Sequence, residues 1–457
     1  MLTAPIRDLA AAKQSDGSTR ARKLTGLISV ALGSIVFLWW GLTLQSHATS
    51  RMVDFRVIYY NVKVLLDHRD PYNALNGEQL AMDDGDKPRV NPIRLPSEIT
   101  LVYPPSALLV NAPLGFLGHI PAQRMWLVLN GGGLILSGFL LWEIAADFAP
   151  ILAGILIGFL VANSAGLLFQ GNVAGIAVSL CMIATWCFFR ERYIPFAIVC
   201  LAVSLAIKPH DAGFIWLCFL VHPKNRLRAA YAFLFTAALL LISVIWVAHV
   251  APSWRGEMKA NLISVSARGG GNDPGPASGS STIVNSDINL QTIIAVIKDD
   301  PAFYDPVTYL ICAVPLILWA ISTWRSEMSP FRFWIALAFL SALTMLPVYH
   351  RHHDAKLLML AVPACALIWT RGRRLGLVGI VVTSMAIAAT ADLPRVILTL
   401  AESSISFSTS TALEKLLTIL LARPAPLSIS LMALFYLYVY WCGMDVEALT
   451  DSSGKST

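Results

Sequence analysis

Four groups of polar side chains stand at the ends of long apolar runs, where an ionisable group is costly unless it serves a partner or a substrate. They are Asp54 with Arg56, Gln170 with Asn172, Lys208 with His210 and Asp211, and the run His350-Arg351-His352-His353-Asp354. A carboxylate such as Asp54 can take the proton of a hydroxyl nucleophile, provided that it lies within hydrogen-bond reach and is ionised. Arg56, two residues on, would help to keep it so. An ordinary solvated acid at a helix end is the plainer reading of the same residue. The run from His350 to Asp354 is the densest polar knot in the chain. Histidine and aspartate are zinc ligands, but neighbours on one loop seldom converge on one ion unaided. No metal is therefore expected there, and phosphate or sugar recognition, or a solvated loop, is what its placement suggests.

These groups need a scaffold. Of 457 residues, 56% are hydrophobic and only 14% are charged, 34 Lys and Arg against 28 Asp and Glu; the mean hydropathy is +0.64. Soluble domains carry nearer a quarter charged residues, so the chain reads as an all-α, polytopic integral membrane protein and not as a cytosolic enzyme. Thirteen Trp, twenty Phe and twelve Tyr suit many membrane-water interfaces. The net charge of +6 points to no nucleic-acid partner, because the basic residues are scattered over short loops and form no continuous patch. Seven cysteines fall in or beside apolar stretches without metal-type pairing and read as small hydrophobes.

A basic head, residues 1–23, precedes a first span at 24–45, and the positive-inside tendency assigns that head to the cytoplasm. The span is long, with no small-residue cleavage site after it, so it is expected to stay as a signal anchor. Residues 46–102 form a first extracytoplasmic loop carrying Asp54, with an amphipathic helix over 55–66 expected on the membrane surface. A membrane core over 103–250, a flexible extracytoplasmic loop over 251–305, a second membrane region over 306–443 and a cytoplasmic tail over 444–457 complete the plan. Within the second loop, the Gly/Ser/Pro tract at 269–281 cannot bury enough apolar surface to order itself. Basic clusters at 190–192, 224–228, 325–332 and 371–374 can all be cytoplasmic if the spans between them pair, which sets 208–211, 254–304 and 349–356 outside. Roughly ten to thirteen crossings result. Parity requires either that 105–117 be re-entrant or that 151–169 be broken.

Asp54, Tyr59-Tyr60, Asp70-Pro71-Tyr72, Tyr103-Pro104-Pro105, Pro113-Leu114 and Trp126, in this order, resemble the signature of glycosyltransferase family 87. The resemblance continues in Phe169-Gln170-Gly171-Asn172, close to a Gly-Gln-Asn element, and in Ala206-Ile207-Lys208-Pro209, similar to a Lys-Pro element before an apolar run and a basic loop. It covers most of the chain from Asp54 to Arg228. Phe169 stands where the family has Gly, and Asn285-Ser286-Asp287-Ile288-Asn289-Leu290 stands where Asn-Ser-Leu is expected. The resemblance implies a GT-C-type helical bundle with two larger extracytoplasmic loops and a polyprenyl-phosphate sugar, usually mannose, as donor. In such enzymes an acceptor hydroxyl attacks the anomeric carbon opposite the lipid phosphate, and one displacement inverts the anomer. The implied roles are Asp54 as base, with Lys208, His210, Arg351 and His353 binding donor phosphate. Arg56, Tyr59, Tyr60, Tyr72, Tyr103, Gln170 and Asn172 would then recognise sugar or acceptor. Each has a plainer alternative: Lys208 as a snorkelling boundary residue, the tyrosines as an interfacial belt, Gln170 and Asn172 as helix caps.

A secondary transporter, or a flippase of envelope precursors, is the alternative from another class. A transporter places acids and bases deep within its spans, yet residues 24–44, 229–250 and 307–324 hold no side chain that carries charge apart from His249. The expected partners are the polyprenyl-phosphate donor, a lipid-linked or polysaccharide acceptor and the bilayer. No cofactor is expected, since no acidic pair demands a divalent cation, although one could assist. The expected location is the plasma (inner) membrane, with the site facing the periplasm or cell exterior.

Overall fold

The computed structural model describes residues 4–47, 52–85, 99–268, 270–275, 287–324, 328–394, 396–397 and 409–454, with the side chains of 4–18, 47 and 444–454 left aside. Positions 269 and 276–281 of the Gly/Ser/Pro tract, Asn285, Ser286 and residues 325–327 of one basic cluster lie outside the described residues. The elements are helical, and the single β pairing among the described residues is a bridge between Asp287 and Arg351. Backbone polar groups in hydrocarbon must bond within their own segment, and a helix does this without an exposed edge. The protein is accordingly an all-α, polytopic membrane protein. Among the described residues, six helices are long and apolar enough to cross a bilayer: Thr19–Ser46, His119–Ala145, Pro150–Gln170, Arg226–Val250, Pro301–Trp324 and Pro424–Gly443. Four shorter apolar helices accompany them, Ala174–Arg190, Ile194–Ile207, Pro209–Val221 and Pro330–Thr344.

Eleven helices carry the argument from here. In chain order they are α1 (Ala4–His47), α2 (Val53–Leu66), α3 (Ala74–Asp83), α4 (Pro105–Gly115), α5 (His119–Ala145), α6 (Pro150–Ala162), α7 (Ala165–Gln170), α8 (Ala174–Arg190), α9 (Ile194–Ile207), α10 (Pro209–Val221) and α11 (Arg226–Val250). Between lipid-facing helices the hydrophobic effect gives no net attraction, so close backbone packing at small residues takes its place. The seam between α1 and α6 is built this way. A Cβ on Gly33 would overlap the carbonyl of Gly158, one on Gly158 the carbonyl of Ser29, and one on Gly154 the backbone of Gly26. At the far end of the seam, Gln45 Nε2 donates to the Leu168 carbonyl at 2.5 Å.

Two prolines shape the segment that carries Lys208. The residue before a proline is pushed out of the helical region, and Lys208, with φ −143° and ψ 81°, occupies the break between α9 and α10 ahead of Pro209. Pro105 opens α4 at a position where its missing N–H costs nothing. One residue on, Ser106 Oγ donates to the Ala206 carbonyl at 2.6 Å, which ties the start of α4 to the end of α9. Of the two features that parity allowed, the break in 151–169 is present. The 11-residue α4 is about 17 Å long, too short to cross by itself, and the apolar run at 151–169 breaks after Ala162, at Asn163 and Ser164, before α7 begins.

The helix expected over 55–66 is there as α2, but not as a surface helix. Ten of its fourteen residues are buried, within a cluster that includes Leu101, Leu108, Trp126 and Val247. Most of the charged side chains sort to two ends of the bundle. At one, Arg190 reaches Glu143 at 2.8 Å and Asp147 at 3.2 Å, Lys23 meets Asp147 at 3.2 Å, and Lys224 pairs with Glu191. The other holds Asp54, Lys208 and Arg351.

The glycine seam yields a stability test. Gly158→Leu should force α1 away from α6, and a scan of thermal unfolding in detergent should show a lower midpoint and earlier aggregation than for Gly132→Leu, a position on α5 with nothing within 4 Å of its Cβ.

Candidate active site

Asp54 lies in the first turn of α2, where a helix N-terminus favours negative charge. Its position is set by a tight approach between two left-handed residues. Met52, ahead of α2, has φ 49°, and its N–H donates to the Phe169 carbonyl at 2.9 Å. Gly171 has φ 64°, and a Cβ there would come to 3.0 Å from both Met52 Cε and Phe55 Cβ. Trp126 Nε1 donates to the Gly171 carbonyl at 2.7 Å and holds the turn from behind. The next residue, Asn172, is then aimed at the carboxylate: its Nδ2 donates to Asp54 Oδ2 at 2.7 Å while its Oδ1 accepts from the Ala174 N–H at 2.8 Å. Gln170 closes α7 beside this turn and is half-buried.

Two cations come from other parts of the chain. Lys208 is paired with Asp354 and lies 3.6 Å from Asp211 Oδ2. Arg351 donates from its backbone N–H to Asp354 Oδ2 at 2.7 Å, so Asp354 bonds both Lys208 and the backbone that carries Arg351. The Arg351 guanidinium donates to the Gly271 carbonyl at 2.7 Å, lies 3.5 Å from Asp287 Oδ1 and covers the Tyr349 ring at 5.2 Å. The second loop is laced to the same segment, with the Ile288 N–H donating to the His350 carbonyl and the Leu290 N–H to that of Leu346, both at 2.9 Å.

Electrostatic influence runs between these pieces. Burial pushes the Asp54 carboxyl above the ordinary carboxylate range; Arg351, the Asn172 hydrogen bond and Lys208 pull it back, and Asp354 adds to the rise. Tyr103 is held well above the usual phenol range, by burial first and then by Asp54 and Asp354. Burial alone would lower the Lys208 amine, but Asp211 and Asp354 raise it. Burial also holds the His353 imidazole well below its usual range, so this ring can offer hydrogen bonds but not charge at neutral pH.

Of the residues picked from the sequence, the fold therefore gathers Asp54, Tyr103, Asn172, Lys208 and Arg351. His210 joins them from the start of α10, its Nε2 3.8 Å from Asp211 Oδ1. Other residues are placed differently. Tyr59 and Tyr60 are fully buried and pack with Phe55 and His119, with ring centroids 5.2 to 5.7 Å apart. The Tyr59 hydroxyl donates to the Leu117 carbonyl at 3.0 Å. Neither the sugar-stacking nor the belt reading survives for this pair, because the interior of α2 takes up both rings. Tyr72 donates its hydroxyl to the Tyr103 carbonyl at 2.9 Å and so supports Tyr103 instead of facing a ligand. Arg56 is buried on α2.

Sequence reading did not single out Asp287, Gly271 or Tyr349, the residues that hold Arg351. A departure from the family pattern around Asp287 was the available signal, and it marked the right segment without its role.

A family model described as Glycosyltransferase family 87 matches residues 101–349, more than half of the chain. No curated protein and no solved structure matches it. The matched stretch holds Tyr103, Gln170, Asn172, Lys208 and His210; Asp54 lies ahead of it, and Arg351 and His353 lie just past its end.

Gly171→Ala tests the turn that aims Asn172. The left-handed backbone alone should cost about 1–2 kcal/mol, and the new methyl group should separate α2 from Asn172. Thermal unfolding should show a clear loss of stability in this variant and none in Gly132→Ala, where alanine favours the helix.

Proposed function

From the premise that this chain belongs to glycosyltransferase family 87 and is a membrane glycosyltransferase, we propose that it moves a hexose, mannose as the first candidate, from a polyprenyl-phosphate donor to a hydroxyl of a lipid-linked or envelope glycan acceptor. The reaction is a single displacement. The acceptor oxygen forms its bond to the anomeric carbon as its proton passes to Asp54, the bond from that carbon to the phosphate oxygen breaks, and polyprenyl phosphate leaves with the electron pair, inverting the anomer.

The observation that supports this reading best is the hydrogen bond that aims Asn172 at Asp54 within range of Arg351 and Lys208. A base must be ionised yet not so stabilised that it refuses a proton. Partial burial makes the Asp54 carboxylate more basic, and the two cations keep it charged. The same cations suit the charge that builds on the leaving phosphate, with arginine able to hold two oxygens and lysine acting as a point charge. His210 and His353 complete the phosphate side, His353 as a neutral hydrogen-bonding group. Tyr103, Gln170 and Asn172 remain the candidates for sugar or acceptor hydroxyls, while Tyr59, Tyr60 and Tyr72 serve as support. The scattering of basic clusters at the opposite end of the bundle supports a site on the exoplasmic face of the plasma (inner) membrane.

Asp54→Asn should lower transfer by at least about 100-fold while expression and membrane insertion stay intact. The assay is radiolabelled sugar passing from polyprenyl phosphate to lipid or glycan acceptor in detergent, where no gradient exists to drive transport; full activity in the variant would refute the assignment. In the pH profile, activity should fall as pH drops through the Asp54 pKa, on a limb above the ordinary carboxylate range. Asp54 faces Arg351, Lys208 and Asp354. Because Arg351 lowers that pKa, Arg351→Gln should move the limb to higher pH, and an unmoved limb would show that another group titrates there.

A further inference from the structure

Asp211 and His350 lie beside the cations of the site but have no part in the scheme above, and His210, placed there on the phosphate side, meets both. Their ligand atoms all lie within 4.8 Å of one another. Asp211 Oδ1 is the meeting point, 3.2 Å from His350 Nε2 and 3.8 Å from His210 Nε2. His350 and Asp211 are fully buried, whereas the His210 side chain is 36% exposed.

The tautomer of His350 is what makes this arrangement informative. His350 Nδ1 lies 2.9 Å from the Val348 carbonyl; a carbonyl only accepts, so Nδ1 carries the proton. An Nε2 without a proton then faces, with its lone pair, a carboxylate oxygen that also has only lone pairs. Among the described residues, neither Asp211 oxygen nor His350 Nε2 makes a hydrogen bond. Two acceptors in buried contact repel unless a positive centre sits between them. Lys208 does not provide it, because it approaches the other oxygen, Oδ2, and is already paired with Asp354.

We propose that His210, Asp211 and His350 form a binding site for a divalent metal ion of the zinc class, held by Nε2 of each histidine and by Asp211 Oδ1. Tetrahedral zinc with bonds near 2.0–2.1 Å places its ligand atoms about 3.3 Å apart, and the two contacts to Oδ1 already bracket that separation. The hydrogen bond from His350 Nδ1 to a backbone carbonyl is the usual outer support of a metal-bound imidazole. The three ligands leave a fourth position open on the exposed His210 side. In the transfer reaction proposed above it would accept an oxygen of the leaving phosphate, a role that rests on that reading, whereas binding of the ion does not.

The test uses the full-length protein in detergent, stripped with a chelator and titrated with Zn²⁺ alone against a chromophoric competitor, with bound metal counted by elemental analysis. One equivalent should bind. His210→Ala, at a partly exposed position, should weaken binding at least tenfold, and Asp211→Asn should do the same. Asp54→Asn should bind as the unaltered protein does, so a failure of the transfer scheme stays separate from a failure of the site. Absence of stoichiometric binding, or binding unchanged in both His210→Ala and Asp211→Asn, would overturn the proposal and leave His350 and Asp211 sharing a proton instead.

Discussion

A carboxylate kept beside the apolar core of a membrane protein has to be met by donors and cations, and the shape of this end of the bundle follows from meeting that demand for Asp54. The amide of Asn172 reaches it only because Gly171 turns left-handed under Trp126, and Met52 can close over that turn only because Gly171 lacks a side chain. The aromatic packing of Phe55, Tyr59 and Tyr60 fixes the axis of α2 on which the carboxylate rides. Local backbone geometry, core packing and the ionised group are thus one construction.

The cations come with their own restraints. Lys208 owes its place to a proline that stops one helix and starts the next, and to Ser106, which pins the neighbouring segment to α4. Asp354 accepts from the backbone of Arg351 and pairs with Lys208, while the Arg351 guanidinium is held by the Gly271 carbonyl and Asp287. Neither cation can swing freely toward solvent. Preorganised charge of this kind needs little rearrangement when negative charge develops nearby.

Much of the architecture was legible in the sequence. The apolar runs give their helices because lipid leaves the backbone no other choice, and the break at Lys208 and the helix start at Pro105 follow from proline alone. The pairing of Asp54 with Asn172 was legible only as two members of one ordered motif. What stayed hidden has a common cause. Tyr59 and Tyr60 sit on a helix whose apolar face suits lipid and protein interior equally, so periodicity cannot tell a surface helix from a buried one. The meetings of Arg351 with Gly271 and Asp287, and of His210 with His350, depend on segments far apart in the chain, and no local pattern records such a contact.

The glycines between α1 and α6 have one more implication. With carbonyls seated where side chains would be, the two helices mesh like the teeth of a ratchet, and their relative height comes in discrete steps. A slip of one turn would carry Gln45 about 5.4 Å from the Leu168 carbonyl that it now meets at 2.5 Å. The first helix therefore acts as a depth gauge for the segment that follows it: residues on its lipid-facing side are free to drift over evolution, whereas inserting or deleting a single residue between Gly26 and Gln45 would put the gauge out of register.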